Sequence, residues 1–394
     1  MYIDFVYQSA DGILTVDQAV VKFITELAPR VGEVVLFGRL SETGPAAPYM
    51  VPAEGVRFVA LPHYESVADV RALIGSFRGA GRAFAETLDT LDAVWLFGPH
   101  PLAIVFARIA KSRGVPVLLG VRQDFPRYIA GRVSRVNRIW AMPIAWAHEL
   151  TYRAMARKTP AVVVGDQLAL NYRAARRPHV RPVGVSLISA ADIVEPGHPL
   201  SHDWDEGPLR ILSVGRLDPE KNPLLLIDVI TALHARDPRW RLDVVGDGPL
   251  ADDVAARAHR AGIADQVELH GHVTNGSQLH SLYRQAHALL HVSYTEGLPQ
   301  VLFEAAAAGL PIVATDVGGV RGALRGGDAG LLIPPADCEA AVRELERVRD
   351  DAPLRASLTR NALEIAREGT IERSHDKILD LIETHVTGTT RLSD

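Results

Sequence analysis

The sequence predicts an α/β chain of two doubly wound, Rossmann-like domains facing a central cleft. Three observations predict it. Short β-rich apolar runs alternate with longer stretches of helical period, the pattern of parallel strands joined by crossover helices. The alternation runs twice, in two series separated by a Pro-, Gly- and acid-rich segment, 194–208, that has no apolar period and reads as a linker. The chain has 394 residues, of which 47% are hydrophobic and 23% charged, enough apolar material for two cores.

In the first series the strands are expected at 2–7, 33–37, 56–61, 93–97, 115–121 and 161–164, with helical patterns such as 16–27 and 102–113 between them. In the second series they are expected at 209–214, 241–245, 267–269, 288–292, 311–314 and 330–333. The helices of that series are expected near 223–235, 250–261, 277–285, 299–308, 337–349 and 353–366. This sets a first domain at 1–195 and a second at 205–370, with the C-terminal helix, about 371–394, a candidate to pack back onto the first. Ligands of such folds sit at the carboxyl ends of the strands, where loops run into helix N-termini.

Composition excludes several classes. A net charge of −5 gives no basic excess for nucleic acid. The single cysteine, Cys338, rules out an internal disulfide and fits a reducing compartment. MYIDFVYQ has no secretory pattern, and runs such as GVPVLLGV and IWAMPIAWA fall far short of the ~20 residues a membrane span needs. A cytoplasmic protein is expected. Between 122 and 181, however, twelve Lys and Arg meet three acids, with Trp140, Met142, Ile144 and Trp146 interleaved. Such a stretch is a candidate for peripheral contact with the inner face of a membrane, or for an anionic soluble ligand, or is a solvated basic face.

The strand-end loops of the second series carry the chemistry. In SVGRLDPEKNP, 213–223, a strand ends at Val214, Gly215 permits a tight turn, and Asn222-Pro223 reads as an N-cap with proline at the first helical position. Arg216 and Lys221 bracket this turn, and a helix N-terminus with two cations suits an anion. The competing reading pairs both cations with Asp218 and Glu220 on a solvated loop. In VVGDGPL, 244–250, Gly246 and Gly248 would let a ligand approach the backbone, though any short turn uses glycine this way. His272 in the next strand-end loop is a lone histidine of the kind that is usually solvated.

The stretch SYTEGLPQVLFEAAAAGLPIVAT, 293–315, holds two acids eight positions apart. Glu296, Gly297 and Leu298 form a loop, and Pro299 starts a helix whose first amides make a second anion site. Side chains lean back toward a helix N-terminus, so Glu304 can reach a ligand docked there. A carboxylate suits the vicinal hydroxyls of a ribose, and Glu296 could hold another hydroxylated group such as a sugar. The apolar neighbours Val301, Leu302, Ala305 and Ala306 make an unpartnered Glu304 costly. Cations and helix amides for a diphosphate, one acid for a ribose and one for a sugar together describe a nucleotide-sugar.

These motifs, in this order, resemble the retaining glycosyltransferases of family 4 (glycosyl transferases group 1), which have the GT-B fold. The matching segments are PVGVS at 182–186, SVGRLDPEKNP, VVGDGP, HGHV, EGLPQVLFEAAAAGLPIVATDVGG and GLLIPPAD. The resemblance implies that Arg216 and Lys221 hold the diphosphate beside Gly215 and Gly246, Glu304 the ribose and Glu296 the donor sugar. It also implies that backbone near Val273 meets the base, and that the run Gly297, Leu298, Pro299, Val301 and Leu302 meets sugar and phosphate. Arg216, Lys221 and Glu296 would then be the catalytic groups. The first half matches more loosely through FGPHPLAIVFARIAKSRGVPVLLGVRQD. There Arg122 stands where the family usually has histidine, followed by Gln123 and Asp124, and the family's early double glycine is only Asp11-Gly12. Gly12, His100, Arg122 and Asp124 are the acceptor-side candidates.

The implied activity is retaining transfer of a hexosyl group from a nucleoside-diphosphate sugar to an acceptor hydroxyl. A small molecule, a glycan or a lipid-linked or cell-envelope precursor is the candidate acceptor. No cofactor and no metal are expected, because Asp203-Trp-Asp205 lies in the linker and reads as spacer. An inverting transferase or a nucleotide-sugar epimerase is the nearest alternative, and the Glu296–Glu304 pairing argues against both. An NAD-dependent oxidoreductase would need Gly-x-Gly-x-x-Gly after its first strand, which YQSADG and VGRLDP lack. A non-catalytic nucleotide-sugar-binding protein would be told apart by turnover.

Overall fold

A computed structural model describes residues 1–10, 12–18, 20–41, 47, 49–62, 70–132, 138–184, 187–195, 203–274 and 276–386. The chain separates into two compact units, Met1–Val185 with Arg373–Asp394, and Ser186–Glu372.

The first unit is built on nine strands: β1 (Tyr2–Ala10), β2 (Ile13–Val16), β3 (Val34–Ser41), β4 (Tyr49–Met50), β5 (Val56–Leu61), β6 (Val94–Gly98), β7 (Val117–Val121), β8 (Ala161–Val164) and β9 (Val180–Val183). Parallel pairing runs β5-β3-β1-β6-β7-β8-β9. The near-continuous apolar runs of β6 and β7 reflect helices on both faces of the sheet, and β7 is buried throughout. Pro182 sits in β9, at the sheet edge, where its missing N–H costs no ladder bond. Phe84 and Phe106 stack at 4.2 Å beneath the sheet.

The sequence reading needs one correction here. Residues 16–27 do not form one helix: Ile13–Val16 is a strand and the helix is Val20–Thr25. Gly12, at φ 77°, turns the chain back so that β2 pairs antiparallel with the long end of β1, and β4 adds to β2. This pairing over a turn outweighs the helical period of the stretch.

The helix Ile371–His385 is tied to the first unit. Its Ser374 hydroxyl donates to the Gly184 carbonyl, His375 Nε2 lies 2.8 Å from the Phe23 carbonyl, and Asp376 and Asp380 pair with Arg30 and Arg181.

The second unit is a six-stranded parallel sheet: β10 (Leu209–Val214), β11 (Trp240–Val245), β12 (Val267–Gly271), β13 (Ala288–His291), β14 (Ile312–Thr315) and β15 (Leu331–Ile333). Their order is β12-β11-β10-β13-β14-β15. Strand succession reverses between β10 and β13, so the carboxyl ends of these two flank the crevice where such sheets take ligands. Apolar clusters cover both faces, one against the helices Pro223–Arg236 and Cys338–Asp350, the other against Ser277–Gln285, Gln300–Ala307 and Ala352–Glu368.

The described residues of the segment 194–208 are not the linker its composition suggested. The boundary between units falls at Val185/Ser186, ahead of it. Its described part belongs to the second unit: Trp204 packs on that core under the Arg355 guanidinium, and Arg239 donates to the Trp204 and Asp205 carbonyls. Tryptophan burial overrides the polar composition around it.

Candidate functional site

At the switch point of the second unit, β10 and β13 end side by side. Lys221, on the turn after β10, donates to Glu296 Oε1 on the loop after β13, at 2.8 Å. The same oxygen takes the Ser293 hydroxyl at 2.6 Å and lies 3.0 Å from His291 Nε2. Ser293 is fixed in turn, since its hydroxyl is 3.2 Å from His291 Nε2 and its carbonyl accepts from Thr315. The Glu296 side chain is 8% exposed. Burial alone would raise its carboxyl. The hydrogen bond and charge of His291, then those of Lys221, outweigh it and bring the group down to about 2. Glu296 is therefore ionised at neutral pH. Its Oε2 has no protein partner among the described residues.

These groups line a cavity of about 210 Å³ with Gly215, Arg216, Pro299, Gln300 and Val301. The side-chain amide oxygen Oε1 of the lining residue Gln300 is buried with no partner. Close backbone contacts shape the walls. A Cβ on Gly318 would lie 1.9 Å from the Glu296 carbonyl oxygen and one on Gly319 2.1 Å from that of Gly297, so the DVGG turn can rest on the Glu296 loop only without side chains. Gly246 fills the same need against Gly215, whose carbonyl oxygen its Cβ would meet at 1.8 Å. Leu298 and Leu302 flank the start of the helix Gln300–Ala307, with Leu302 buried and Val273 packed against the cluster below.

Arg216 stands apart from this knot. Its side chain is 66% exposed and pairs with Asp218 and Glu220, as the solvated-loop reading had it, while Lys221 does not follow that reading and reaches Glu296. Asn222 holds the N-cap position before Pro223 in a left-handed conformation and its side chain makes no cap bond. Pro299 is itself the N-cap residue, with the helix starting at Gln300. Glu304 is half-buried, and the fully buried Tyr283 donates to its Oε2 at 2.7 Å. Burial first, and the Glu304 charge second, push the Tyr283 hydroxyl well above its ordinary value, so it remains a donor.

A larger cavity, about 760 Å³, opens at the opposite, amino ends of β10, β11 and β12. Asp243, Glu268 and His270 come together beside it. Arg210 already donates to both Asp243 oxygens at 3.1 and 3.2 Å, and His270 Nε2 is 3.0 Å from the same carboxylate. Its charges are satisfied within the protein, whereas the smaller cavity presents an open carboxylate oxygen and an orphaned amide oxygen.

Residues 198–365 match the family described as glycosyl transferases group 1. D-inositol 3-phosphate glycosyltransferase of Streptomyces griseus is 30% identical over 371 residues, spanning 83% of this chain and 76% of that protein. The chain belongs to the group 1 glycosyl transferases. In other curated relatives, at 35–37% identity, the aligned stretch spans 31–39% of their length. WaaG, a glycosyltransferase involved in lipopolysaccharide biosynthesis, superposes with a TM-score of 0.67 at 17% identity, over 99% of this chain and all of that one. Anabaena HepE in complex with UDP-glucose gives 0.65 at 15% identity, over 98% and 100%. Both units thus have the parallel, doubly wound sheets of the GT-B fold.

In the first unit of this group 1 chain, His100 and Asp4 meet at the corresponding switch point, between β1 and β6. His100 caps the helix Pro101–Ser112. Its Nδ1 accepts from the Leu102 amide at 3.2 Å and lies 2.9 Å from Tyr2 Oη, while Nε2 is 3.4 Å from Asp4. Burial, ahead of the Asp4 charge that opposes it, lowers the His100 pKa, in keeping with a neutral ring that accepts at Nδ1. Arg122, directly after β7, lies over the Phe5 ring at 4.9 Å and has no ion pair among the described residues. Asp124 accepts from the Arg127 amide and from Asn171, which fixes the helix Phe125–Arg132. Gly12 lies in the β1–β2 turn, and Asp11 is outside the described residues. Asp203 accepts from the Asp205 and Glu206 amides, a local turn.

Sequence reasoning missed His291, Ser293, Tyr283 and Gln300. A histidine inside the apolar run ALLHV was a visible signal, and so was a glutamine at the first turn of an apolar helix. Tyr283 carried none, because its link to Glu304 spans 21 positions.

Proposed function

We propose that this chain transfers a hexosyl group, with retention, from a nucleoside-diphosphate sugar to an acceptor hydroxyl. The observation that carries the reading is Glu296. Three donors converge on one of its oxygens, the other has no protein partner among the described residues, and the residue lines a cavity at the switch point. A carboxylate so clamped orients hydroxyls and holds its charge. With a pKa near 2 it does not trade protons at neutral pH, so its task is positioning the sugar rather than general-base catalysis.

The main energetic demand is then the departing diphosphate. Lys221 is already placed beside the cavity, and Arg216 can exchange Asp218 and Glu220 for phosphate oxygens at little cost because it is exposed. With the first amides of the helix Gln300–Ala307, these cations offset the developing charge without calling on a metal. Glu304, fixed by Tyr283, takes the ribose. The UDP-glucose bound by HepE makes uridine nucleotides the first donors to try. A lipid-linked or cell-envelope glycan precursor fits the acceptor, in keeping with the lipopolysaccharide role of WaaG.

The test is calorimetric titration with a panel of nucleoside-diphosphate sugars, followed by NMR of the product anomer. A donor that binds and turns over with its anomeric configuration kept supports the proposal. Inversion, or no heat from any donor, removes it.

A further inference from the structure

Among the described residues, nothing covers a broad apolar face of the helix Arg138–Met155. Ile139, Trp140, Ile144, Trp146 and Leu150 are 70%, 76%, 58%, 45% and 58% exposed. At the α-helical turn angle they span an arc of about 160° that holds no Lys, Arg, Asp or Glu. The opposite side carries Ala145, Glu149 and Tyr152 into the core. Such a contiguous apolar surface calls for a cover.

The charges around it say which. Twelve cations and three acids lie between 122 and 181. Of the acids, Glu149 is fully buried against Arg153, and Asp124 is engaged with the Arg127 amide and Asn171. Arg127, Arg138, Arg157 and Lys158 remain exposed. A symmetric contact with a second copy would set cations against cations. No helix among the described residues is long and apolar enough to cross a membrane. An apolar arc with tryptophans, in a stretch rich in exposed cations, instead matches the composition of a bilayer interface.

We propose that the exposed face of the helix Arg138–Met155 docks this chain on an anionic lipid surface, with Trp140, Ile144 and Trp146 inserted among the acyl chains. The surface belongs to the first unit and the donor cavity to the second, and the proposal is independent of sugar transfer.

Sedimentation of the full chain with vesicles tests it, using phosphatidylcholine alone and an equal mixture with phosphatidylglycerol. Binding to the mixture should exceed binding to the neutral vesicles by at least ~10-fold, since each cation near an anionic surface contributes a factor of about five. Trp140→Ser with Ile144→Ser should weaken it by at least ~10-fold, and Arg157→Gln with Lys158→Gln by roughly twentyfold. Brominated acyl chains should quench the fluorescence of the unaltered chain, and Trp140→Phe with Trp146→Phe should abolish the quenching, because Trp95 and Trp240 are buried and Trp204 packs on the core of the second unit. Failure to bind the mixed vesicles, equal binding to neutral ones, or binding untouched by these substitutions would overturn the proposal. So would a monomer–dimer equilibrium that the Trp140 and Ile144 changes abolish, which would assign the face to a second copy.

Discussion

Consider Glu296→Gln. The side chain is almost fully buried and its carboxyl is held at about 2, against 4.5 in a model compound. The folded pKa lies below the unfolded one, so ionisation favours the fold. That contribution is complete above about 4.5 and is lost as pH falls toward 2. The shift corresponds to about 3 kcal/mol at neutral pH, of which about 1.4 kcal/mol is gone by roughly pH 3.5. Glutamine keeps the shape and the Ser293 bond but leaves Lys221, itself only 22% exposed, without a counter-charge. The variant should thus lose about 2–3 kcal/mol at pH 7, and its deficit should shrink as pH drops, because a protonated Glu296 resembles glutamine. Its affinity for free nucleoside diphosphate should not fall, since Lys221 is released toward phosphate, whereas turnover should. Hydrogen exchange of the β10 and β13 amides across pH reports the opening energy of this unit, and calorimetry reports the nucleotide. A stability gap that does not change with pH would refute the account of the knot. A loss of nucleotide affinity as large as that from Glu304→Gln would refute the division of the donor between the two acids.

Four further outcomes are expected. Lys221→Ala should lower both stability, by about 1–3 kcal/mol, and turnover, by roughly 10²–10³-fold. Arg216→Ala should leave thermal stability within about 0.5 kcal/mol while weakening the nucleotide, since the Arg216 side chain is itself 66% exposed and its ion pairs are screened by water; melting curves with and without nucleoside diphosphate separate the two. Tyr283→Phe removes a buried 2.7 Å donor and should cost about 1–2 kcal/mol by chemical denaturation, with nucleotide affinity falling as Glu304 loses its orientation. Activity measured by nucleoside-diphosphate release should persist in EDTA; complete loss restored by Mg²⁺ or Mn²⁺ would show that a metal shares the diphosphate.

The alternation of strand and helix, and with it the doubly wound α/β class, was legible because buried parallel strands and their covering helices impress period and length on the residues themselves; the GT-B fold came from the resemblance of the motifs. β5, β8 and β10 match their expected bounds to the residue. Arg216, Lys221, Glu296 and Glu304 could also be singled out, because strand-end loops and helix first turns are local features with local chemistry. Tertiary structure alone decided who meets whom. Lys221 and Glu296 are 75 positions apart, and only the adjacency of β10 and β13 joins them. The β1–β2 hairpin outweighed a helical period, Trp204 anchored a polar segment against a core, and His100 proved to be a cap. The uncovered face of the helix Arg138–Met155 is of the same kind: its composition could be read along the chain, but which side stays in solvent depends on what Tyr152 and Glu149 bury against. Periodicity is a property of neighbours in sequence, whereas pairing and burial are set by contacts between distant segments.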